Sequence, residues 1–461
     1  MFAIDLNDRA LALARAGRVL TCEPSAVFDG SGREAAGTAA WEQLRRRPTA
    51  ISTRHLRELS RPGAPGRRAL ALLAAELGRR LRECGPQPGE PVWIAVPAGL
   101  EPHSLALLLG LTRSLALPVD GFADAAVVSA AALGLDRPAL VLDLGLHHCA
   151  ATAVEGSGRA GRRRVIVSER GGLTELYQAW MALVGTTLVK RTRFDPLNDA
   201  VTEQQLFAAM PVLAREAALH GSAAAALEVG ARRIETVLSR DQLAEVAQPI
   251  YRELLAALHA LRTAGAPVAL IVPQLVPALP GLREALEQFA GCELVTLADG
   301  FAAAALSVLD LPPRAPDAPV RLLRRLAARA AAECAPLAER TLIAGPATRA
   351  ARPTHLLHEG KAIELGPEAL VIGRAPLAGP ALRLPEGLAA VSRRHCTLLP
   401  QGAERILVDH SSYGTFVNGE RVAERVSVRA GDRVRIGEPG VELALIALDA
   451  ATEQDDATPQ N

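Results

Sequence analysis

Three short polar clusters in the C-terminal part of the chain have residue types that suit a phosphate group. They are residues 371–374, 391–395 and 409–419, each at the end of a β-type run. A phosphorylated threonine carries close to two negative charges and three acceptor oxygens, so its site needs fixed cations and donors. Arg374 can supply a fork of charge-assisted donors, Ser392 a hydroxyl, and Arg393 a second cation and a backbone N–H. The spacing therefore predicts a phosphate-binding surface.

The same clusters contain residues that shape loops. His395 can hold its own loop by hydrogen bonding instead of touching a ligand. Gly414 and Gly419 permit positive φ, and Asn418 is favoured next to a glycine in a hairpin. Residues 415–417 alternate as a strand does. We therefore expect short strands with the polar residues in the loops between them.

This ordered set of motifs resembles the forkhead-associated (FHA) domain, a β-sandwich that binds phosphothreonine peptides. The resemblance places four residues at phosphopeptide-contacting positions: Arg374, Ser392, Arg393 and Ser412. It places five at positions that shape the loops: Gly373, His395, Gly414, Asn418 and Gly419. Tyr413 stands where many family members carry an Asn that grips the peptide backbone, which leaves the peptide preference open. The alternative interpretation is an FHA fold that has lost phosphate binding and works by another surface.

Length and composition exclude several other classes of protein. The 461 residues suffice for about two or three domains. The net charge of +1 gives no overall basic charge of the kind that nucleic-acid-binding proteins carry. The six cysteines form no Cys-x-x-Cys pair, which argues against a zinc ribbon or a disulfide framework. No signal peptide or membrane helix is visible. We expect a cytoplasmic protein with no nucleic-acid partner, no metal site and no membrane span.

The first 310 residues alternate between strand and helix patterns. Strand-like runs cover residues 10–14, 92–96, 139–142, 149–154, 165–168 and 268–272. Helical runs cover residues 69–82, 101–115, 173–184, 242–262 and 281–289. This alternation predicts an α/β domain with mixed sheets.

The order and spacing of these runs resemble the nucleotide-binding domain of the seventy-kilodalton heat-shock chaperones and the wider actin-like ATPase superfamily. Asp5 ends the first strand, and Asp143 and Gly145 follow a later one. The resemblance implies a two-lobed domain in which these three residues face a nucleotide and its hydrated Mg²⁺. It extends over about 305 residues and rests on order more than on any single motif.

The loops that would hold ATP depart from the family pattern. The first hairpin, residues 5–10, has no Gly, Ser or Thr, although backbone N–H groups must approach phosphates closely. The second, residues 143–149, has one Gly and no Thr. The adenosine loop, residues 272–277, contains two prolines, which lack the N–H. We therefore expect a pseudo-ATPase without a cofactor; bound ATP and Mg²⁺ are the alternative.

The two regions are predicted to be joined by a linker. Residues 311–353 are rich in Pro, Ala and Arg, and residues 320–334 have an amphipathic pattern that predicts a helix. The predicted divisions are an ATPase-like domain (1–310), the linker (311–353), the FHA domain (354–449) and a disordered tail (450–461).

These patterns together predict an α/β, actin-like, two-lobed ATPase-type domain followed by an all-β FHA sandwich. The predicted function is that of a phosphothreonine-dependent adaptor in bacterial serine/threonine-kinase signalling. Its partners would be a phosphothreonine-containing protein and a serine/threonine kinase. Two alternatives stay open: an active chaperone-like ATPase coupled to phosphopeptide binding, and an actin-like protein that assembles.

Overall fold

A computed structural model describes most of the chain, as two compact units. The described residues are 1–29, 36–59, 61–264, 268–289, 292–315, 317–343, 353–358, 361–376, 379–385, 387–401 and 404–446. The first unit comprises Met1–Leu261 and Pro267–Gly345, and the second comprises Arg262–Ala266 and Pro346–Asn461. The predicted tail, residues 450–461, lies outside the described residues, as do residues 344–352 of the predicted linker.

The strands and helices alternate in the first unit, whereas the second unit consists of strands. The strands are β1 (Phe2–Leu6), β2 (Leu11–Arg15), β3 (Arg18–Glu23), β4 (Val27–Phe28), β5 (Ile51–Ser52), β6 (Val92–Val96), β7 (Val119–Asp124), β8 (Ala139–Leu144), β9 (Cys149–Glu155), β10 (Arg159–Ser168), β11 (Ser222–Val229), β12 (Arg232–Ser239), β13 (Thr263–Ala264), β14 (Ala269–Pro273), β15 (Glu293–Leu297), β16 (Arg321–Leu323), β17 (Arg325–Ala327), β18 (Ala338–Leu342), β19 (His355–His358), β20 (Lys361–Glu364), β21 (Leu370–Gly373), β22 (Ala381–Arg383), β23 (Cys396–Gln401), β24 (Glu404–Asp409), β25 (Thr415–Val417), β26 (Glu420–Val422), β27 (Arg425–Val428), β28 (Arg433–Ile436) and β29 (Val441–Ile446). The α-helices are α1 (Thr38–Trp41), α2 (His55–Glu58), α3 (Ala64–Cys84), α4 (Pro102–Ser114), α5 (Ala125–Ala132), α6 (Leu173–Thr192), α7 (Ala200–His220), α8 (Arg240–His259), α9 (Leu282–Ala285) and α10 (Phe301–Leu306). Short 3₁₀ helices cover Pro196–Asn198, Val276–Ala278, Leu286–Phe289 and Ala332–Leu337.

Two sheets of the first unit repeat one strand order. In the first sheet, β1, β2 and β3 form an antiparallel meander, and β6 and β7 join the other side of β1 in parallel. In the second sheet, β8, β9 and β10 form the meander, and β14 and β15 join the other side of β8 in parallel. The predicted mixed α/β character of this region is confirmed.

A core of small side chains lies between the two sheets. Helices α5 and α10 contribute a run of alanines and valines to a cluster that also contains Ala3 and Ala95 from the first sheet and Ala269 and Val295 from the second. Strands β1 and β6 are buried along their whole length, as central parallel strands covered on both faces usually are. The small side chains let both sheets approach the helices closely, which brings the β1–β2 and β8–β9 turns together.

The predicted helix over residues 320–334 is wrong. The chain instead forms β16, which pairs with the edge strand β7, and β17, which pairs with the edge strand β10, before the 3₁₀ helix Ala332–Leu337. Leu322 and Leu323 pack into different cores, because successive side chains of a strand point to opposite faces of the sheet. Pairing with two open sheet edges thus overrides local helix propensity. Much of the predicted linker, including β18, therefore belongs to the first unit.

The second unit is a sandwich of two sheets around one core. One sheet has the order β13-β26-β25-β28-β29-β19-β20 and the other the order β22-β21-β23-β24-β27. Fully buried leucines, isoleucines and valines from both sheets, among them Ile372, Leu398, Leu407 and Val434, fill the space between them. This all-β architecture places the predicted polar clusters in the loops between strands.

None of the helices in the described part of the chain is long and apolar enough to cross a membrane.

Candidate functional site

Backbone hydrogen bonds join the loop after β21 to the loop before β23. The Arg374 N–H donates to the Ser392 carbonyl at 3.1 Å, and the Ala375 N–H donates to the Arg393 carbonyl at 3.0 Å. A Cβ atom on Gly373 would lie 2.2 Å from the Arg393 carbonyl oxygen, so the two loops can approach this closely only with glycine there. These contacts place the predicted residues Arg374, Ser392 and Arg393 on two adjacent loops.

His395 links the loop before β23 to the loop between β24 and β25. Its ring is fully buried; Nδ1 accepts a hydrogen bond from the Ser392 N–H at 3.0 Å, and Nε2 lies 3.1 Å from the Gly414 carbonyl oxygen. Because Nδ1 accepts, Nε2 carries the proton and donates to that carbonyl. Burial lowers the pKa of His395, which keeps the ring neutral in this role. His395 thus touches the loops and not their outer surface.

The loop between β24 and β25 is ordered by Asp409 and Ser411. Asp409 Oδ1 accepts hydrogen bonds from the Ser411 N–H at 3.0 Å and the Thr415 hydroxyl at 2.8 Å. Ser411 Oγ accepts one from the Gly414 N–H at 2.7 Å, and Gly414 has a φ of 87°. Sequence reasoning did not assign Asp409, Ser411 or Thr415 a role. The Asp-x-Ser spacing of an Asx turn is the signal that could have identified them.

The third loop lies beside the second because Ser412 contacts Ser392. The Ser412 N–H donates to Ser392 Oγ at 3.4 Å. Arg393 and Ser412 are exposed, and Arg374 and Ser392 are half-buried. Tyr413, next to Ser412, is 56% exposed. Two cations and two hydroxyls therefore lie on three linked loops, a composition that can bind a phosphate dianion.

Asn418 and Gly419 form the turn between β25 and β26. Their φ angles of 52° and 86° are both positive, as a two-residue hairpin turn requires. The Asn418 side chain donates to Asp432 Oδ1 at 2.9 Å and accepts from the Arg433 N–H at 2.9 Å. This turn anchors β25 to the start of β28.

In the first unit, a cavity of about 90 Å³ opens between the two sheets. Asp5, Asn7 and Arg9 line it from the first hairpin, and Asp143 lines it from the second. Asn7 Nδ2 donates to Asp143 Oδ1 at 3.1 Å. Burial, and then repulsion from Asp143, raises the pKa of Asp5 to about 7. Arg54 and His147 line a separate polar cavity.

The backbone N–H groups of the second hairpin are bound by Asp8. This carboxylate is 1% exposed and accepts hydrogen bonds from the Leu146 N–H at 2.9 Å and the His147 N–H at 3.3 Å. It also lies 3.2 Å from His148 Nδ1. Burial opposes ionisation, but the contact with His148 and the amide bonds hold the pKa of Asp8 below its ordinary value. A Cβ atom on Gly145 would lie 2.4 Å from Asp8 Oδ1, so Gly145 makes room for this carboxylate.

Comparison with known protein families identifies the sandwich. Residues 370–437 match the model of the FHA domain family. That span contains β21 to β28 and all three linked loops. No curated protein matches the chain. The second unit therefore contains an FHA domain, the class of protein-interaction module that binds phosphopeptides.

Proposed function

We propose that this protein is a phosphothreonine-dependent adaptor in serine/threonine-kinase signalling. The observation that carries the proposal is the position of Arg374, Ser392, Arg393 and Ser412 on three linked loops of an FHA domain. In this proposal the guanidinium groups neutralise the phosphate, and the hydroxyls donate to its oxygens. A kinase phosphorylates a threonine on a partner protein, or on this chain itself, and the loops bind the phosphothreonine.

The loops suit this role because hydrogen bonds within the chain already position them. His395 fixes the Ser392 backbone and the Gly414 carbonyl, and the Asp409 network fixes the residues that flank Ser412. Preorganised donors spare the ligand the free-energy cost of ordering them. The phosphate is then recognised by geometry as well as by charge.

We further propose that the first unit is an actin-like pseudo-ATPase that docks a second component. The repeated strand order of its two sheets supports the two-lobed interpretation. Its hairpins do not fit nucleotide phosphates, because Asp8 already accepts the Leu146 and His147 N–H groups. A phosphate there would have to displace a buried carboxylate of the same charge. The unit would then serve as a scaffold and not as a motor.

Fluorescence polarisation with the full-length chain tests phosphopeptide capture. A degenerate phosphothreonine peptide library should bind, and its unphosphorylated counterpart should not. Arg374→Ala removes charge-assisted hydrogen bonds and should weaken binding about 100-fold, equivalent to roughly 3 kcal/mol. Arg433→Ala is the matched control, because Arg433 lies on β28 and pairs with Glu442 at 2.9 Å. Equal binding of the two libraries would refute the adaptor proposal.

Thermal unfolding with and without Mg-ATP tests the pseudo-ATPase part. We expect no shift in melting temperature. A shift that Asp143→Ala abolishes would favour an ATPase coupled to phosphopeptide binding. Light scattering that rises with protein concentration would favour an assembling protein.

A further inference from the structure

The cavity of the first unit has mainly apolar walls. Val141, Leu142, Ile271, Val272 and Phe301 are among the side chains that line it. Its volume of about 90 Å³ suits a ligand of only a few heavy atoms. Such walls suit the alkyl part of a ligand.

Asp5 is an unpartnered carboxylate in this apolar setting. It is 8% exposed and lines the cavity. Among the residues that the structure describes, none forms a hydrogen bond or an ion pair with its carboxylate. Burying an ionised carboxylate without a partner costs several kcal/mol. A group that neutralised Asp5 would therefore be strongly favoured at this position.

The charges around the cavity do not balance. Arg9 is the cation of the lining, and it pairs with Asp299 just beyond the cavity. Asp143 accepts a hydrogen bond from the neutral Asn7 amide. Within the described part of the chain, Asp5 and Asp143 therefore share one cavity without a cation paired to either carboxylate. A cationic ligand would be attracted there, and a phosphate-bearing one repelled.

We infer that this cavity binds a small organic cation, an amine whose ammonium group lies against Asp5 and Asp143 and whose apolar body lies against Val272 and Phe301. Hydrated Mg²⁺, which proteins hold through one or two carboxylates and water, is the competing occupant, and the titrations below include it. The inference concerns a site in the first unit and does not depend on the phosphopeptide proposal.

Isothermal titration calorimetry on the full-length chain tests the inference with ethylamine, propylamine and isobutylamine as probes. Each amine is compared with a neutral isostere, such as 1-propanol for propylamine. We expect saturable binding of at least one amine, at least ten-fold tighter than its isostere. Asp5→Asn and Asp143→Asn should each weaken it at least ten-fold. Asp136→Asn is the matched control, because Asp136 is 88% exposed and does not line the cavity.

Three results would overturn the inference: no binding of any probe, equal binding of amine and isostere, or unchanged affinity in both Asp variants. Binding of Mg²⁺ or Mg-ATP that is lost in Asp5→Asn, together with no binding of any amine, would also overturn it in favour of a metal or nucleotide site. Circular dichroism establishes that each variant is folded. Either Asp variant suffices if the other fails to fold, since both carboxylates line the same cavity.

Discussion

The FHA loops and the β8–β9 hairpin both gather polar groups at the ends of strands, yet they treat them differently. In the hairpin, the Leu146 and His147 N–H groups are bound by the buried carboxylate of Asp8. In the FHA loops, the residue that connects the loops internally is His395, a neutral imidazole. The Arg393 guanidinium and the Ser412 hydroxyl lie at the surface. A cluster of donors can therefore bind an external anion only if the chain does not supply its own. Four variants break or sharpen this contrast.

His395→Ala should have the broadest effect, on the stability of the second unit and on phosphopeptide binding. It leaves the Ser392 N–H and the Gly414 carbonyl without their partner and opens a small cavity, which should destabilise the second unit by about 3 kcal/mol. Phosphopeptide affinity should fall with it, because the three loops lose their connector. Hydrogen-exchange mass spectrometry of peptides from residues 370–437 measures the loss of protection. His410→Ala removes an exposed ring bonded to the Thr397 hydroxyl at 3.1 Å and should cost less than about 1 kcal/mol. Equal effects of the two variants would contradict the assigned role.

Asp5→Asn should stabilise the protein at pH 8 and change little at pH 4.5. Because the folded pKa of Asp5, about 7, lies above the ordinary 3.8, the native state holds an extra proton between these values. The contribution of Asp5 to stability therefore falls as pH rises through that window. At about 1.4 kcal/mol per pKa unit, the gain at pH 8 should be on the order of 2–4 kcal/mol. Melting temperatures at the two pH values measure it, and a variant less stable than wild type at pH 8 would exclude this account.

Asp8→Asn should destabilise the first unit by about 1–2 kcal/mol near pH 5.5 and by less at pH 9. The lowered pKa of Asp8 means that its contribution is present above pH 3.8 and is lost as pH falls. Burial opposes protonation of His148, but Asp8 raises the pKa of that ring above 6.5. The contribution of His148 is therefore present below pH 6.5 and is lost as pH rises. Thermal unfolding across this range is the measurement, with Asp136→Asn as control. A pH-independent difference would argue against the ion pair.

Tyr413→Asn should have the smallest effect, a gain of about three- to ten-fold in phosphopeptide affinity. An Asn side chain at this exposed position can add one hydrogen bond to the peptide backbone, worth about 0.5–1.5 kcal/mol. Fluorescence polarisation with the phosphothreonine library measures the change. Tyr413→Ala removes the ring without adding the Asn amide, and so separates loss of the ring from gain of the hydrogen bond. Weaker binding in both variants would show that the ring itself packs on the peptide.

The sequence was sufficient where the informative residues are close together along the chain. The FHA domain was predicted from three local motifs and is confirmed by the family match to residues 370–437. The alternation of helices and strands in the first unit followed from hydrophobic period and is confirmed as mixed α/β structure. Both signals arise from residues within about ten positions of one another.

The sequence was insufficient where distant segments decide the outcome. Residues 320–334 have a helical pattern, but two open sheet edges more than 150 residues away recruit them as β16 and β17. The contact between Asp8 and the Leu146 N–H joins residues 138 positions apart, so neither hairpin alone reveals it. Helix α7, which has Pro211 in its interior, was also missed.

The late position of β16, β17 and β18 has a consequence for biosynthesis. Until residues 321–342 leave the ribosome, the nascent first unit holds two nearly complete sheets whose outer strands β7, β10 and β15 expose unpaired N–H and C=O groups. Such edges are where nascent chains join one another wrongly. Both sheets are therefore complete only after residue 342 has been translated. A ribosome that stalled a few dozen codons earlier would release a chain with three unpaired, aggregation-prone edge strands.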